Sequence, residues 1–255
     1  KVSIYAAPNS GKGLTEVAWK SSAYDFDHKT LNNIALVKTA LLDNDYDIYH
    51  SHFDKMHYFL GDDTKKPIVY TQHWFPNKGI AAAARFNTKQ NALAVPPTHF
   101  MSEENKKLGI LSAEIVPHGI DLDLFKPSGQ PVSDRLIFVG RVAPHKGVLE
   151  AVQIARAAGQ KLDIVGRTKD TDMAYWQKIE SLIDGEQIKY LGPKTHSEIA
   201  ILLSKAKAFI FPSQIPEAFG QVTIEAQACG TPVIISDVGA SHELIDHGKT
   251  GFIVR

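Results

Sequence analysis

Two regimes of hydrophobic patterning divide this chain. In the second half, short unbroken apolar runs such as Leu136-Ile137-Phe138-Val139 alternate with stretches of helical spacing. An unbroken apolar strand is one covered on both faces, as in a parallel sheet between helices. The pattern predicts strands at Arg135–Gly140, Lys161–Gly166, Gln187–Leu191, Ala208–Phe211 and Pro232–Ser236. It predicts helices over Lys146–Gly159, Asp170–Ile183, His196–Ser204, Gly220–Cys229 and Ser241–His247, the last capped by Gly248. Strand and helix in strict turn make an α/β, doubly wound parallel sheet.

The first half is less regular. Strands are expected at Val2–Ala6, Asp47–Ser51, Ile68–Gln72, Ala92–Pro96 and Glu114–Val116, and helices at Leu31–Leu42 and Asn77–Phe86. Glu16–Thr30 is too short and too polar for the helix and two strands that would follow a first βα unit, so this half reads as an abridged α/β domain. Pro117–Ser133, broken by Pro117, Gly119, Pro127, Gly129 and Pro131, reads as the linker. Two such domains would place a ligand at facing strand ends.

Composition narrows the function classes. The 28 basic and 28 acidic side chains cancel, which gives no footprint for a nucleic-acid partner. A single cysteine excludes a disulfide framework and a cysteine-rich metal site. Cys229 is expected to pack as a small apolar residue. No apolar run reaches the roughly 18 residues of a membrane span, and Lys1 leads directly into a strand, so no signal peptide and a cytoplasmic location are expected. Peripheral membrane contact and oligomeric state stay open.

The richest chemistry lies in Glu217-Ala218-Phe219-Gly220-Gln221-Val222-Thr223-Ile224-Glu225, where seven residues separate two carboxylates across a Phe-Gly turn. A helix beginning at that turn would offer unpaired N–H groups and its dipole to a phosphate, while the acids would suit sugar hydroxyls. On that helix Val222, Ala226 and Cys229 form an apolar stripe, and Glu225 sits at its edge, partly buried and in need of partners. A second constellation, Gly140-Arg141-Val142-Ala143-Pro144-His145-Lys146-Gly147, ends a buried strand. Arg141 supplies a planar fork of donors and Lys146 a movable point charge, a pair able to neutralise a diphosphate and the charge left when a sugar departs from it.

Gly-Arg-x4-Lys-Gly, Pro-Ser-x3-Glu-x-Phe-Gly-x4-Glu-Ala-x-Ala-x-Gly-Thr-Pro-Val-Ile and Gly239-x3-Glu243-Leu244-Ile245-x2-Gly248-x-Thr250-Gly251-Phe252 together resemble the glycosyltransferase family 4, with its GT-B fold. The resemblance covers the second half and reaches Val116-Pro117-His118-Gly119-Ile120-Asp121 and Phe125-x-Pro127. It implies two Rossmann-like domains facing a cleft: residues 1–127 on the acceptor side and 128–255 binding the nucleotide sugar. It implies that Arg141 and Lys146 hold the donor diphosphate after Gly140. Glu217 would lie near the transferred sugar, and Glu225 would hold the ribose. The Phe219, Gly220, Gln221 and Val222 turn would face sugar and phosphate. Lys194 and Thr195 would lie at the base, and Gly166 and Arg167 would line the same edge.

In the first half Gly11-Lys12-Gly13 resembles the family's glycine loop, with Lys12 interrupting the usual glycine pair, and Gly13 is its candidate. His73 matches the strand-end histidine that faces the donor sugar. His118 stands where the family usually has Asn and carries no assignment. Family members continue beyond Gly251-Phe252 with helices, one crossing back to the first domain. The implied activity is retaining, metal-independent transfer from a nucleotide sugar, UDP being the commoner carrier, with no added cofactor. The acceptor is a hydroxyl on a glycan, a lipid-linked glycan or a small metabolite.

The residues also bear on other readings. Ala6-Ala7-Pro8-Asn9-Ser10-Gly11-Lys12-Gly13 nearly spells a P-loop, but it starts with Ala and has Gly13 where a Mg²⁺-binding hydroxyl belongs. His50 and His52 alternate onto one strand face as a conceivable metal pair, with no carboxylate cluster to complete a site. A non-catalytic sugar-nucleotide-binding subunit, an epimerase or a phosphorylase would keep the scaffold. Both acids and both cations being present argues against a decayed site, and no cofactor lysine of a phosphorylase can be placed.

Overall fold

The computed structural model describes residues 3–6, 15–18, 35, 38–39, 41–42, 46–52, 56–129 and 133–255. They divide into two compact units, Lys1–Pro117 and His118–Arg255.

The second unit carries one parallel sheet of six strands, β6 (Arg135–Val139), β7 (Lys161–Val165), β8 (Ile188–Gly192), β9 (Ala208–Phe211), β10 (Val233–Ser236) and β11 (Gly251–Val254). Their spatial order is β11-β10-β9-β6-β7-β8. Numbered from β6 this is the 3-2-1-4-5-6 order of a doubly wound fold, and its direction reverses between β6 and β9. The apolar runs behave as their sequence predicts. All of β9 is buried, as is all of β6 except Arg135. Phe138, Leu162, Ile164, Phe209 and Val233 are fully enclosed, packed against Val148, Val152 and Ala155 of α4 (Val148–Ala157) and Leu203 of α6 (His196–Lys205).

Helix ends follow local chemistry. Thr195 caps α6 in a reciprocal capping box with Glu198. Between β7 and β8, α5 spans only Met173–Glu180 after a 3₁₀ turn. α7 (Gln221–Ala228) starts at Gly220, whose left-handed backbone (φ 75°) only glycine adopts cheaply.

Two corrections fall at the chain's last elements. The helix expected over Ser241–His247 stops at Leu244 (α8, Ser241–Leu244). Ile245 is already extended, and the Asp246 N–H turns to the Thr250 hydroxyl. Gly248 is therefore not a helix cap: it sits in the turn leading to β11, with φ 82°. That edge strand, unforeseen from the sequence, pairs parallel to β10.

In the first unit, β3 (Tyr49–Ser51), β4 (Ile68–Thr71) and β5 (Ala92–Val95) form a parallel sheet, and β1 (Ser3–Ala6) pairs with β2 (Thr15–Ala18). α1 (Met56–Leu60), α2 (Lys78–Phe86) and α3 (His99–Leu108) accompany them. Ala35, Lys38, Thr39, Leu41 and Leu42 are helical, within the helix expected there. Tyr58, Ile68, Tyr70, Ile80 and Ala94 make the buried centre. Glu114–Val116 is not a strand. Only an isolated bridge joins Ala94 to Ser112, and Pro96, Pro97 and Pro117 deny a longer ladder its donors.

Among the described residues no helix is long and apolar enough to cross a membrane.

Candidate functional site

The point where strand order reverses gathers the charged loops of the second unit. Arg141 and Lys146 follow β6; Glu217 follows β9, its hydrogen-bonded neighbour. Lys146 Nζ donates to Glu217 Oε1 at 2.7 Å, with both side chains partly buried. The buried Ser213 ties this corner together. Its hydroxyl lies 3.3 Å from the same carboxylate oxygen and donates to the Ile215 carbonyl at 2.7 Å.

Glycines let the loops close. A Cβ on Gly147 would overlap the Pro212 carbonyl, and one on Gly239 would lie 2.9 Å from the Glu217 amide nitrogen. Gly239 thus lets the Gly239-Ala240 turn press on the backbone that presents Glu217.

Arg141 is oriented by His145. Its Nη2 donates to His145 Nε2 at 2.8 Å, while Arg141 Nε is buried with no partner among the described residues. Burial, then the cations Arg141 and Lys146, hold His145 below the ordinary histidine range. The neutral ring keeps the lone pair that accepts from the guanidinium. The His145 carbonyl in turn accepts from the Gln214 N–H at 2.9 Å, so one residue links the two loops. His145 and Ser213 lay inside the quoted motifs without a role. Their signal was position: each stands within four residues of a charged candidate on adjacent strand ends.

Phe219 is buried, with His118 edge-on to its ring at 5.0 Å between centroids. Gln221 Nε2 donates to the Gly119 carbonyl at 3.2 Å. The Gly220, Gln221 and Val222 turn therefore opens α7 beside Glu217, braced by the His118-Gly119 segment. One to two turns along α7, Glu225 is 7% exposed. Burial raises its pKa, against the lowering pull of His196 and of a hydrogen bond from Gln221. Ala226 and Cys229 are buried on the stripe, and burial pushes the Cys229 thiol up to about 11.

Lys194 and Thr195 lie just before α6, close to His196, which faces Glu225. The Thr195 hydroxyl serves the cap of α6, and Lys194 Nζ lies 3.8 Å from Glu198. Gly140 and Gly166 meet backbone to backbone: a Cβ on Gly166 would overlap the Gly140 carbonyl, and the Val142 N–H donates to the Arg167 carbonyl at 2.9 Å.

In the first unit His73 lies two residues beyond the end of β4. Its Nε2 lies 2.8 Å from His52 Nδ1, and His50 Nε2 lies 2.6 Å from the Thr71 hydroxyl. His50 and His52 do share a face, with ring centroids 4.6 Å apart. Among the described residues no group of three or more His, Cys, Asp or Glu is arranged to hold a metal. Gly13 and the P-loop-like segment from Ala7 lie outside the described residues.

A sequence model of the family described as "Glycosyl transferases group 1" matches residues 124–255. The chain belongs to this family. The D-inositol 3-phosphate glycosyltransferase of Mycobacterium tuberculosis is 28% identical over 246 residues, an alignment covering 82% of this chain and 51% of that protein. The chain thus spans about half the length of the curated relatives it matches. Its fold is shared with the Anabaena protein HepE, solved in complex with UDP and glucose. The TM-score is 0.77 at 20% identity, covering 94% of this chain and 72% of that one. Sucrose-phosphate synthase from Thermosynechococcus elongatus gives a TM-score of 0.77 at 19% identity, over 94% and 69% of the two chains. The GT-B expectation drawn from the motifs agrees with these likenesses.

Proposed function

We propose that this group 1 glycosyl transferase chain transfers a sugar from a nucleoside diphosphate, UDP by preference, to an acceptor hydroxyl. The observation that carries the reading is the meeting of Lys146 and Glu217, 2.7 Å apart at the switch point of the sheet. A cation for phosphate and an acid for sugar hydroxyls there match the two ends of one donor. The relative named for D-inositol 3-phosphate and the UDP-bound solved structure support the substrate class.

In this scheme Arg141 and Lys146 take the diphosphate, with the amides of Gly220, Gln221 and Val222 completing an anion cradle at the start of α7. Glu217 then exchanges Lys146 for sugar hydroxyls, and Glu225 accepts from the ribose. The acceptor oxygen attacks the anomeric carbon from the face the phosphate leaves. The carbon–phosphate-oxygen bond breaks with its electron pair passing to phosphate, and that oxygen takes the acceptor's proton. Configuration is retained. Fixed cations stabilise the leaving charge in place of a divalent metal. His73 is the first unit's candidate group, and the second unit is the nucleotide-sugar-binding half.

Thermal-shift screening with UDP, GDP and ADP and their sugars tests this. Ligand at about 100 times its Kd stabilises the folded state by about 2.7 kcal/mol. A rise in Tm with UDP and its sugars, insensitive to EDTA, is the expected pattern. No shift with any nucleotide at millimolar concentration refutes the reading.

A further inference from the structure

On the far side of β6 from Glu217 lies a hollow of about 680 Å³, lined by Arg141, Arg167, Thr168, Lys169 and Thr171. Three of the five lining side chains are cationic and two carry hydroxyls. Among the described residues no carboxylate lines it, and neither Arg167 nor Lys169 makes an ion pair. Arg141, which also lines it, has a buried Nε–H that finds no partner among the described residues.

Its lining residues belong to the segment that leaves β7, and that segment is pinned at its root. The Val142 N–H holds the Arg167 carbonyl at 2.9 Å, the Gly166 N–H reaches the Gly192 carbonyl at 3.1 Å, and the Tyr190 hydroxyl donates to the Gly166 carbonyl at 2.8 Å. The glycine pair Gly140 and Gly166 locks the floor, since neither strand end can separate from the other without losing this stitching.

Cations lining one concavity, with no ion pair among the described residues and hydroxyls between them, form a receptor for a tetrahedral oxyanion. We propose that this hollow is a second phosphate site, taking a phosphate group other than the donor's diphosphate. Arg141 lines the hollow and is also a candidate for the diphosphate, and Arg167 was likewise expected along the donor edge. Lys169 and Thr171 belong to the hollow alone. The inference shares Arg141 with the function proposed above but does not need a sugar donor to be true.

Inorganic phosphate is the probe, titrated calorimetrically into the whole chain with and without saturating UDP. Phosphate should bind in both conditions, more weakly as ionic strength rises. Lys169→Gln with Thr171→Val, both exposed positions, should weaken phosphate about tenfold or more while UDP affinity holds. Strict competition between phosphate and UDP overturns the proposal, as does undiminished phosphate binding by the double variant. Should UDP itself fail to bind, phosphate binding that survives Lys146→Ala and is lost in the double variant still supports the hollow. Glucose 6-phosphate separates the sources. Tighter binding than inorganic phosphate supports an ester-bearing ligand, and equal or weaker binding supports free phosphate.

Discussion

Replacing Glu217 by Gln should tighten the binding of UDP while abolishing most transfer. Lys146 Nζ and Glu217 Oε1 stand 2.7 Å apart, with side chains 23% and 21% exposed. At that separation the Coulomb energy is about 1.5 kcal/mol in bulk water and about 6 kcal/mol at an effective dielectric of about 20. Desolvation of two partly buried ions offsets much of the larger figure. A net worth of about 1.5–3 kcal/mol, that of a charge-assisted hydrogen bond, is the reasonable middle. A diphosphate arriving at Lys146 competes with the carboxylate for the same three donors. If half the pair's stabilisation is surrendered on binding, about 1 kcal/mol is taken from UDP affinity, roughly fivefold.

The amide keeps the shape and the contact with Ser213 but removes the competing charge. Glu217→Gln is therefore expected to bind UDP about fivefold more tightly by calorimetry. Its kcat should fall by about 10²-fold, because the proposed scheme holds the sugar hydroxyls on this carboxylate. Lys146→Met in the same background should erase the gain. Unchanged or weaker UDP binding by Glu217→Gln refutes the idea that the pair is opened by the donor.

His145 makes stability pH-dependent. Its folded-state pKa lies below the ordinary 6.5, so in the window between those two values the unfolded chain binds the proton and the folded chain does not. Stability in urea should fall as pH drops below 6.5 relative to His145→Gln, which keeps an acceptor for Arg141. Parallel curves refute the assignment. Gly239→Ala places a methyl 2.9 Å from the Glu217 nitrogen and 3.1 Å from its carbonyl oxygen, at φ 61°. A loss of about 1–3 kcal/mol in unfolding free energy, with reduced transfer, is expected. Cys229, its thiol pushed up to about 11 and its side chain buried, should resist thiol reagents until the protein unfolds. Labelling at the native rate of an exposed thiol would contradict that burial.

Where burial is apolar, the sequence announced it. The runs at β6 and β9 could be read as strands because every residue but Arg135 lies between two layers of helices. With the sheet parallel, Arg141, Lys146 and Glu217 had to emerge at one edge. Their convergence follows from strand direction alone, and only the contact between Lys146 and Glu217 needed coordinates. Where burial is polar, hydrophobic periodicity is blind. α3 escaped because one of its two buried positions, beside Met101, is Asn105, which exchanges two hydrogen bonds with the buried Gln72 and a third with Ser112. A polar network is worth its burial only when every member is satisfied, and satisfaction is a property of distant partners that no local window contains. The end signals were nonetheless present. Thr98 caps the start of α3 and Gly109 closes its end at φ 70°, so capping chemistry would have found the helix that the pattern of apolar residues hid.

The same limit explains the site. Arg141, Lys146 and Glu217 declare themselves as charges near predicted strand ends, and Glu225 as a charge at the edge of an apolar helix stripe. His145 and Ser213 act through what they touch, an arginine across a turn and a carboxylate on the neighbouring strand's loop. A neutral histidine that accepts from a guanidinium looks, in sequence, like any other histidine. Its role exists only once two cations and a buried wall surround it. Charged candidates are therefore legible one at a time, whereas residues that aim those charges become legible only with the strand order that sets them side by side.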